Sequence, residues 1–451
     1  MTLATITDTV DVQGDVALQG DLDTRQPRGL WLLFGVEMWE RFSYYGMRAI
    51  LVLYLVNELK WSDASASRLY GNYTSLVYLT PIIGGWLADR FIGTRRSLVI
   101  GGAIIAAGHF CLAIPGMTTF YLGLGLIIVG TGFFKPNVST MVGQLYRQND
   151  IRRDAGFTIF YMGVNLGAFL APLVCGYLGE SPQWGWHYGF GAAGVGMVLG
   201  LIMFLWGRDR YLPGIGLSPR EQTSAEAKAA AREPLTREEK QRIAVIFIVA
   251  FFVIFFWAAF EQAGASMNLF ADRHTARTLA GFEFPASWFQ SVNPLAILIF
   301  APLLARLWVD LGRRGKEPNT PAKMGVGLIL LGLGFGLMVL GAARADQGVL
   351  VSPLWLVGAY TMHTWGELAL SPVGLSLVSK LSPARLVAMM MGVWFLANFV
   401  ANWLAGQLSA LMGDFSSLKA FFSIFMIAPI VAGVVLLAIS PVLKRMMHGR
   451  G

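Results

Sequence analysis

Residues 31–56 read WLLFGVEMWERFSYYGMRAILVLYLV, a run long and apolar enough to cross a bilayer. Inside it stand Glu37, Glu40, Arg41 and Arg48, with Tyr44 and Tyr45 between them. At about 3.6 residues per turn these six fall within roughly 140° of one helix face. A charge at membrane depth costs at least ~2.5–3.5 kcal/mol on the mildest insertion scales, so such groups turn inward and are usually functional. A helix with lipid on one side and ionisable groups on the other reads as the wall of a transport pathway.

The rest of the chain has the same character. Its 451 residues are 55% hydrophobic and only 14% charged, with mean hydropathy +0.56, which excludes an ordinary soluble domain. Apolar runs recur near 30–56, 71–88, 97–114, 119–142, 155–178, 186–206, 243–269, 286–308, 323–343, 352–378, 385–410 and 418–443. The expectation is an all-α integral membrane protein of twelve spans. Residues 1–28 carry five Asp and neither an apolar run nor a cleavage pattern, and are expected to form a disordered cytoplasmic tail. The long polar stretch 207–242 alternates in sign and reads as a cytoplasmic linker, part helical, with an amphipathic surface helix as the alternative. It separates one six-helix bundle, 29–206, from another, 243–443; residues 444–451 form a cytoplasmic tail.

The basic balance of +8 comes from asymmetry, not from a nucleic-acid surface. With the N-terminus inside, the outer loops hold only Lys60, Arg68, Arg273, Arg277, Arg344 and Lys419, and the spans hold Arg41, Arg48 and Lys135. The inner side keeps 26 of the 35 Lys and Arg. The positive-inside rule then places both termini in the cytoplasm. Cys111 and Cys175 lie within spans and read as packing residues. No HExxH, GxSxG or CxxC context suggests a metal or an enzyme.

After the second span comes Gly84-Gly85-Trp86-Leu87-Ala88-Asp89-Arg90-Phe91-Ile92-Gly93-Thr94-Arg95-Arg96. This resembles the loop signature of the major facilitator superfamily. Asp310-Leu311-Gly312-Arg313-Arg314 echoes it six spans later. The resemblance implies two six-helix bundles around a cavity open alternately to each side. It also implies a structural loop of Gly84, Asp89, Arg90, Gly93, Arg95 and Arg96 that ties helix ends together.

Four further runs resemble the proton-dependent oligopeptide transporter family. They are Glu37-Met38-Trp39-Glu40-Arg41-Phe42-Ser43-Tyr44-Tyr45-Gly46, Phe160-Tyr161-Met162-Gly163-Val164-Asn165-Leu166-Gly167, Phe256-Trp257-Ala258-Ala259-Phe260-Glu261-Gln262, and Gly366-Glu367-Leu368-Ala369-Leu370-Ser371-Pro372-Val373-Gly374. The resemblance implies a proton-coupled symporter of di- and tripeptides in a bacterial-type inner membrane. It works as a monomer, with protons as the coupling ion and no cofactor. By it, Arg48 and Lys135 hold the peptide carboxylate and Glu367 the amine. Asn165 and Asn293 contact the peptide's polar groups, and Tyr44, Tyr45, Tyr78, Trp257 and Trp394 line side-chain pockets.

The residue chemistry agrees. A zwitterion needs positive charge on one wall and negative charge on the other, and the two halves supply these separately. Glu37 and Arg41 stand i,i+4 and can pair; Glu40 shares their face. We expect Glu37 and Glu40 to exchange protons as their pairing with Arg41 and Lys135 makes and breaks. Glu261 is expected to be a second proton site whose pairing with Arg48 closes the outer gate. Static helix pairing is the alternative for these charges, snorkelling for Lys135, and ordinary packing for the aromatics. His109 and His363 are expected to be structural, His363 lying one turn before Glu367. Animal peptide transporters carry a functional histidine where this chain has Gly71. A non-peptide substrate on the same fold, or a peptide sensor, are the competing functions.

Overall fold

The computed structural model describes residues 25–147, 150–217 and 234–450. The described residues fold into twelve long helices: α1 Arg28–Leu53, α2 Asp63–Leu87, α3 Thr94–Leu112, α4 Met117–Gln144, α5 Arg153–Glu180, α6 Trp186–Tyr211, α7 Arg237–Phe260, α8 Val292–Arg313, α9 Thr320–Ala345, α10 Leu354–Leu381, α11 Val387–Ser409 and α12 Leu418–Met446. Among the described residues nine helical stretches are long and apolar enough to cross a membrane. Missing from that set are α1, α2 and α10, which carry charged and polar side chains: four ionisable groups between Glu37 and Arg48, the Tyr70–Ser75 region, and His363 with Glu367.

Several boundaries differ from the sequence expectation for local reasons. Helix α2 starts at Asp63, before the apolar run, because the Ser62 hydroxyl caps the Ser65 N–H at 3.2 Å. Helix α7 starts at Arg237, where Thr236 and Glu239 form a reciprocal capping box. The seventh span is not one helix: it breaks after Phe260 into a 3₁₀ turn, Glu261–Gly264, and a short helix, Ser266–His274. The expected linker 207–242 is trimmed by α6 and α7 at its edges, and α12 runs through Met446 into the expected tail. The linker's middle, 218–233, and residues 1–24 lie outside the described residues.

Within each set of six, helices pack closely: α1 on α5 and α6, α3 on α4, and α9 on α10 and α12. Between the sets the main contacts are α2 with α11 and α5 with α8. The loop of residues 88–93 and the segments flanking 218–233 mark one end of the molecule, here the basic end. Ties between the two sets gather at the opposite, far end. Gly71 meets Gly406 so closely that a Cβ on Gly71 would stand 2.5 Å from the Gly406 Cα. One turn away the Ser67 and Ser409 hydroxyls are 3.1 Å apart. Asn268 Nδ2 donates to the Ala49 carbonyl at 2.8 Å, and Ser291 Oγ to that of Phe169 at 2.8 Å. The Glu180 carboxylate accepts the N–H groups of Ala286 and Ser287 at 2.7 and 3.0 Å, and Arg273 grips Asp63 through both guanidinium nitrogens at 2.6 and 2.7 Å. The far end is closed.

At the basic end Arg95 does the tying expected of the loop, within one set of helices. Its side chain binds Asp209 at 2.8 Å, the Ile215 carbonyl at 3.1 Å and the Leu212 carbonyl. Arg90 instead lies over the Trp86 and Phe91 rings. Among the described residues Asp89 and Arg96 make no ion pair, so the expected tie through Asp89 is not made in this conformation. Gly84 has another task. Pro136 has no N–H for the Gly132 carbonyl, and that carbonyl faces Gly84, where a Cβ would stand 2.1 Å from it. Gly93 turns the chain at φ +81°.

The far-end contact can be trapped. With Cys111 and Cys175 replaced by serine, the pair Ser67→Cys and Ser409→Cys should oxidise to a disulfide. After cleavage at a protease site inserted in 218–233, the halves should co-migrate until reduced. Failure to cross-link would show that α2 and α11 do not meet here.

Candidate substrate and proton site

Between the two sets of helices lies a cavity of about 440 Å³. Of the residues expected to bind substrate or protons, Glu37, Arg41, Tyr45, Arg48, Tyr78, Lys135, Asn165, Trp257, Glu261, Asn293, Glu367 and Trp394 line it. Charges more than 300 residues apart therefore share one space. Two of the expected residues do not reach it. Tyr44 is buried behind the wall, edge-on to Tyr45 and 5.5 Å beneath the Arg41 guanidinium. It is not the pocket aromatic the resemblance implied. Glu40 stands behind Arg41, 1% exposed, and bonds to its Nε. The helix-face argument grouped the six side chains over about 140°, but the cavity exposes only part of that arc.

The charged groups sort into paired and unpaired. Arg41 Nε pairs with Glu40 and, at 3.0 Å, with Glu37. That triad leaves one Glu37 oxygen and Arg41 Nη2 with no hydrogen-bond partner. Arg48 joins the halves through Glu261 and also donates through Nε to the Tyr70 hydroxyl at 2.5 Å. The Tyr70 hydroxyl sits against Gly264, at the break after α7, where a Cβ would stand 1.8 Å from it. The break thus places Glu261 and makes room for its partner's support.

Lys135 and Glu367 are different. Lys135 lies over the Tyr78 ring, 4.3 Å from its centroid, facing the cavity and not snorkelling to the surface. Among the described residues no carboxylate comes within ion-pair distance of it. Glu367 is 8% exposed and accepts one hydrogen bond from Asn293 Nδ2 at 2.8 Å, and among the described residues it makes no ion pair. A positive pole on α4 and a negative pole on α10 thus face one cavity, each without an ion-pair partner among the described residues. Each costs about as much to bury as the first-helix charges do, and is offset by a ring face for Lys135 and one amide for Glu367.

Amide orientation adds detail. Asn165 Nδ2 donates to the Tyr161 carbonyl at 2.9 Å, and Asn398 Nδ2 to that of Trp394 at 2.9 Å. Each gives one N–H to its own helix, which leaves its oxygen and its second N–H for the cavity. Asn398, Gln290 and Tyr161 also line the wall, unassigned from sequence, as does His363, one turn before Glu367. Asn398 follows Trp394 by four residues, a spacing that marks one helix face. Gln262, beside the functional Glu261, is structural: its Nε2 donates to the Ala258 and Ala405 carbonyls, each at 3.1 Å, stapling the end of α7 to α11. His109 is buried in the first set with neither ring nitrogen partnered.

With this geometry in place, known proteins can be compared. A family model described as the POT family matches residues 95–215 and 215–425. The chain is 36% identical to a di-/tripeptide transporter of Lactococcus lactis subsp. cremoris, over 93% of this chain and 97% of the relative. It is 34% identical to the peptide transporter YePEPT of Yersinia enterocolitica subsp. palearctica, over 92% and 94%. Among solved structures it resembles a peptide transporter POT in complex with sulfate, with TM-score 0.86 and 40% identity over 94% of this chain and 96% of that one. It also resembles a POT family transporter in complex with 5-aminolevulinic acid, with TM-score 0.85 and 32% identity over 93% and 97%.

The fold and these likenesses define a multi-pass membrane transporter, not an enzyme, with an all-helical fold of the major facilitator type. The chain belongs to the POT family.

The cross-half pair gives a direct test. Removing one member of a buried ion pair strands the other, at a cost of about 3–5 kcal/mol, and should loosen the closed end. A cysteine in place of Ser291, which is 4% exposed, should react with a membrane-impermeant maleimide about tenfold faster once Glu261→Gln is added. An unchanged rate would mean that the pair does not hold the far end shut.

Proposed function

We propose that this protein imports di- and tripeptides across the bacterial inner membrane by proton-coupled symport and alternating access. The observation that carries the reading is the pair of poles without an ion-pair partner among the described residues, Lys135 and Glu367, facing one cavity from opposite halves. A peptide zwitterion offers the two charges those poles lack. The α-carboxylate goes to Lys135 with Arg48 beside it, and the α-amine goes to Glu367, whose second oxygen is left open by Asn293. Asn165 and Asn293 present oxygens to peptide N–H groups. Tyr45, Tyr78, Trp257 and Trp394 give apolar faces that accept varied side chains. The ligand named for one structural neighbour, 5-aminolevulinic acid, likewise has an amine and a carboxylate at opposite ends.

Protons act on the paired charges. A proton on Glu261 removes the charge that holds Arg48, which frees a guanidinium for the peptide carboxylate and releases the far-end tie. A proton on Glu37 weakens its hold on Arg41, with Glu40 retaining the arginine from behind. In this reading the basic end, with the termini, is cytoplasmic, and the structure is the inward-facing state. The two six-helix bundles rock about the fixed site, and one chain suffices because the cavity is built entirely within it.

Uptake of labelled dialanine into proteoliposomes tests the whole. An inward proton gradient should drive accumulation, competed by other di- and tripeptides and not by free amino acids. Lys135→Ala and Glu367→Ala should each raise KM at least about tenfold, as for a charged hydrogen bond lost from a buried site. Glu37→Gln and Glu261→Gln should lose the acceleration by the gradient. Wild-type acceleration in both would remove these carboxylates from the coupling, and no uptake by the wild type would point to a non-peptide substrate or a sensor.

A further inference from the structure

We propose that His363 positions the substrate by donating its Nδ1–H to the first carbonyl oxygen of a peptide whose amine lies on Glu367, an inference that rests on the peptide reading above. His363 precedes Glu367 by four residues on α10, so the two side chains are neighbours on one helix face. Both line the cavity.

The ring's orientation follows from its packing. The Cδ2–Nε2 edge lies against Gly334 of α9, where a Cβ would stand 2.4 Å from Cδ2 and 2.8 Å from Nε2. The ring also rests on Phe335, with centroids 4.5 Å apart. Nε2 is sealed there without a hydrogen-bond partner. The opposite edge, with Nδ1, therefore turns away from α9 and toward the cavity. A neutral imidazole carries its proton on one nitrogen only. Burying an unused acceptor is less costly than orphaning an N–H, which native structures almost never do. The proton accordingly belongs on Nδ1, and His363 offers the cavity a donor.

A donor beside Glu367 complements the acceptor that Glu367 provides. Asn293 spends Nδ2 on Glu367 and on Thr364, at 2.8 and 3.0 Å. Tyr360 donates to the Ala263 carbonyl at 3.2 Å. Asn165 and Asn398 each give one N–H to their own helix. The amino end of a peptide places an amine, which donates, two bonds from a carbonyl carbon whose oxygen accepts. An acceptor and a donor one helical turn apart read both. This pairing distinguishes a peptide's amino end from a simple amine, a distinction that Glu367 alone cannot make. The absence of a side chain at Gly334 keeps the ring seated, because any Cβ there would drive it into the substrate's space.

The test compares Ala-Ala with its thioxo analogue, in which sulfur, a weaker acceptor, replaces the first carbonyl oxygen. The wild type should show a KM ratio of about five in favour of the oxygen peptide, the size of one neutral hydrogen bond. His363→Asn, whose amide N–H falls near Nδ1, should keep that ratio. His363→Leu, and His363→Gln, whose amide reaches toward Nε2 instead, should bring it to about one. Melting temperature would check that each variant folds, and either of the two donor-less variants suffices. Measurable uptake with a ratio in Leu or Gln equal to that of the wild type overturns the role of His363 and leaves the peptide reading standing. No uptake of Ala-Ala by the wild type overturns the peptide reading and this proposal with it.

Discussion

A guanidinium and a carboxylate, Arg48 and Glu261, meet across the two halves at the closed side of the cavity. Both are nine-tenths buried or more, so the pair has given up most of its hydration. Desolvating two ions costs several kcal/mol each, and their attraction repays this only while geometry is kept and extra hydrogen bonds are present. Tyr70 supplies one such bond, and the turn after α7 supplies the room. As an isolated stabiliser such a pair is a poor choice, since an apolar contact would hold the halves as well. Its distinguishing property is that a single proton abolishes it.

Most of the far-end seal consists of contacts that cost little to break. Gly71 against Gly406 is backbone on backbone, and separating the two strands no polar group. Ser67, Ser409, Ser291 and Asn268 can find water once the halves part. Arg273 with Asp63 is partly exposed, and an exposed pair contributes ~0–1 kcal/mol at most. Beside these weak ties stand two largely buried carboxylates, Glu261 on Arg48 and Glu180 on the Ala286 and Ser287 N–H groups, which carry the stronger closure. The glycine contact also accounts for the missing histidine: a side chain at Gly71 would collide with the α11 backbone. Whatever a histidine does at that place in other transporters, this chain cannot seat one without forcing α2 off α11.

The share of this architecture that is legible in sequence follows from where energy is conspicuous. Charges inside apolar helices violate the solvent they sit in, so Glu37, Arg41, Arg48, Lys135, Glu261 and Glu367 announce themselves, and the cavity gathers all six. Period and length likewise reveal twelve helices. Direction around a helix is less legible. Glu40 and Tyr44 fall on the same broad face as their neighbours, yet only packing decides that they stand behind Arg41 and Tyr45. Context also inverts some readings. Gln262 adjoins a functional carboxylate and is a staple, whereas His363 sits in an apolar run like any core residue and borders the substrate space. The far-end ties through Glu180, Asp63 and backbone carbonyls carry no periodic signal, because each partner is distant in sequence.

In the cycle proposed above, the two kinds of charge in the cavity impose an order. Lys135 and Glu367 have no ion-pair partner among the described residues, so substrate reaches them without breaking an ion pair. Arg48 is held by Glu261 through Nη2 and by Tyr70 through Nε, so breaking the pair frees Nη2 for the carboxylate. Peptide and proton therefore compete for different members of the same pair: the proton for Glu261, the carboxylate for Arg48. Each lowers the cost of the other's arrival, because a protonated Glu261 leaves a stranded cation and a bound carboxylate leaves a stranded anion. That reciprocity is a coupling free energy in the strict sense. It needs no direct contact between peptide and proton, only one ion pair that both can dissolve.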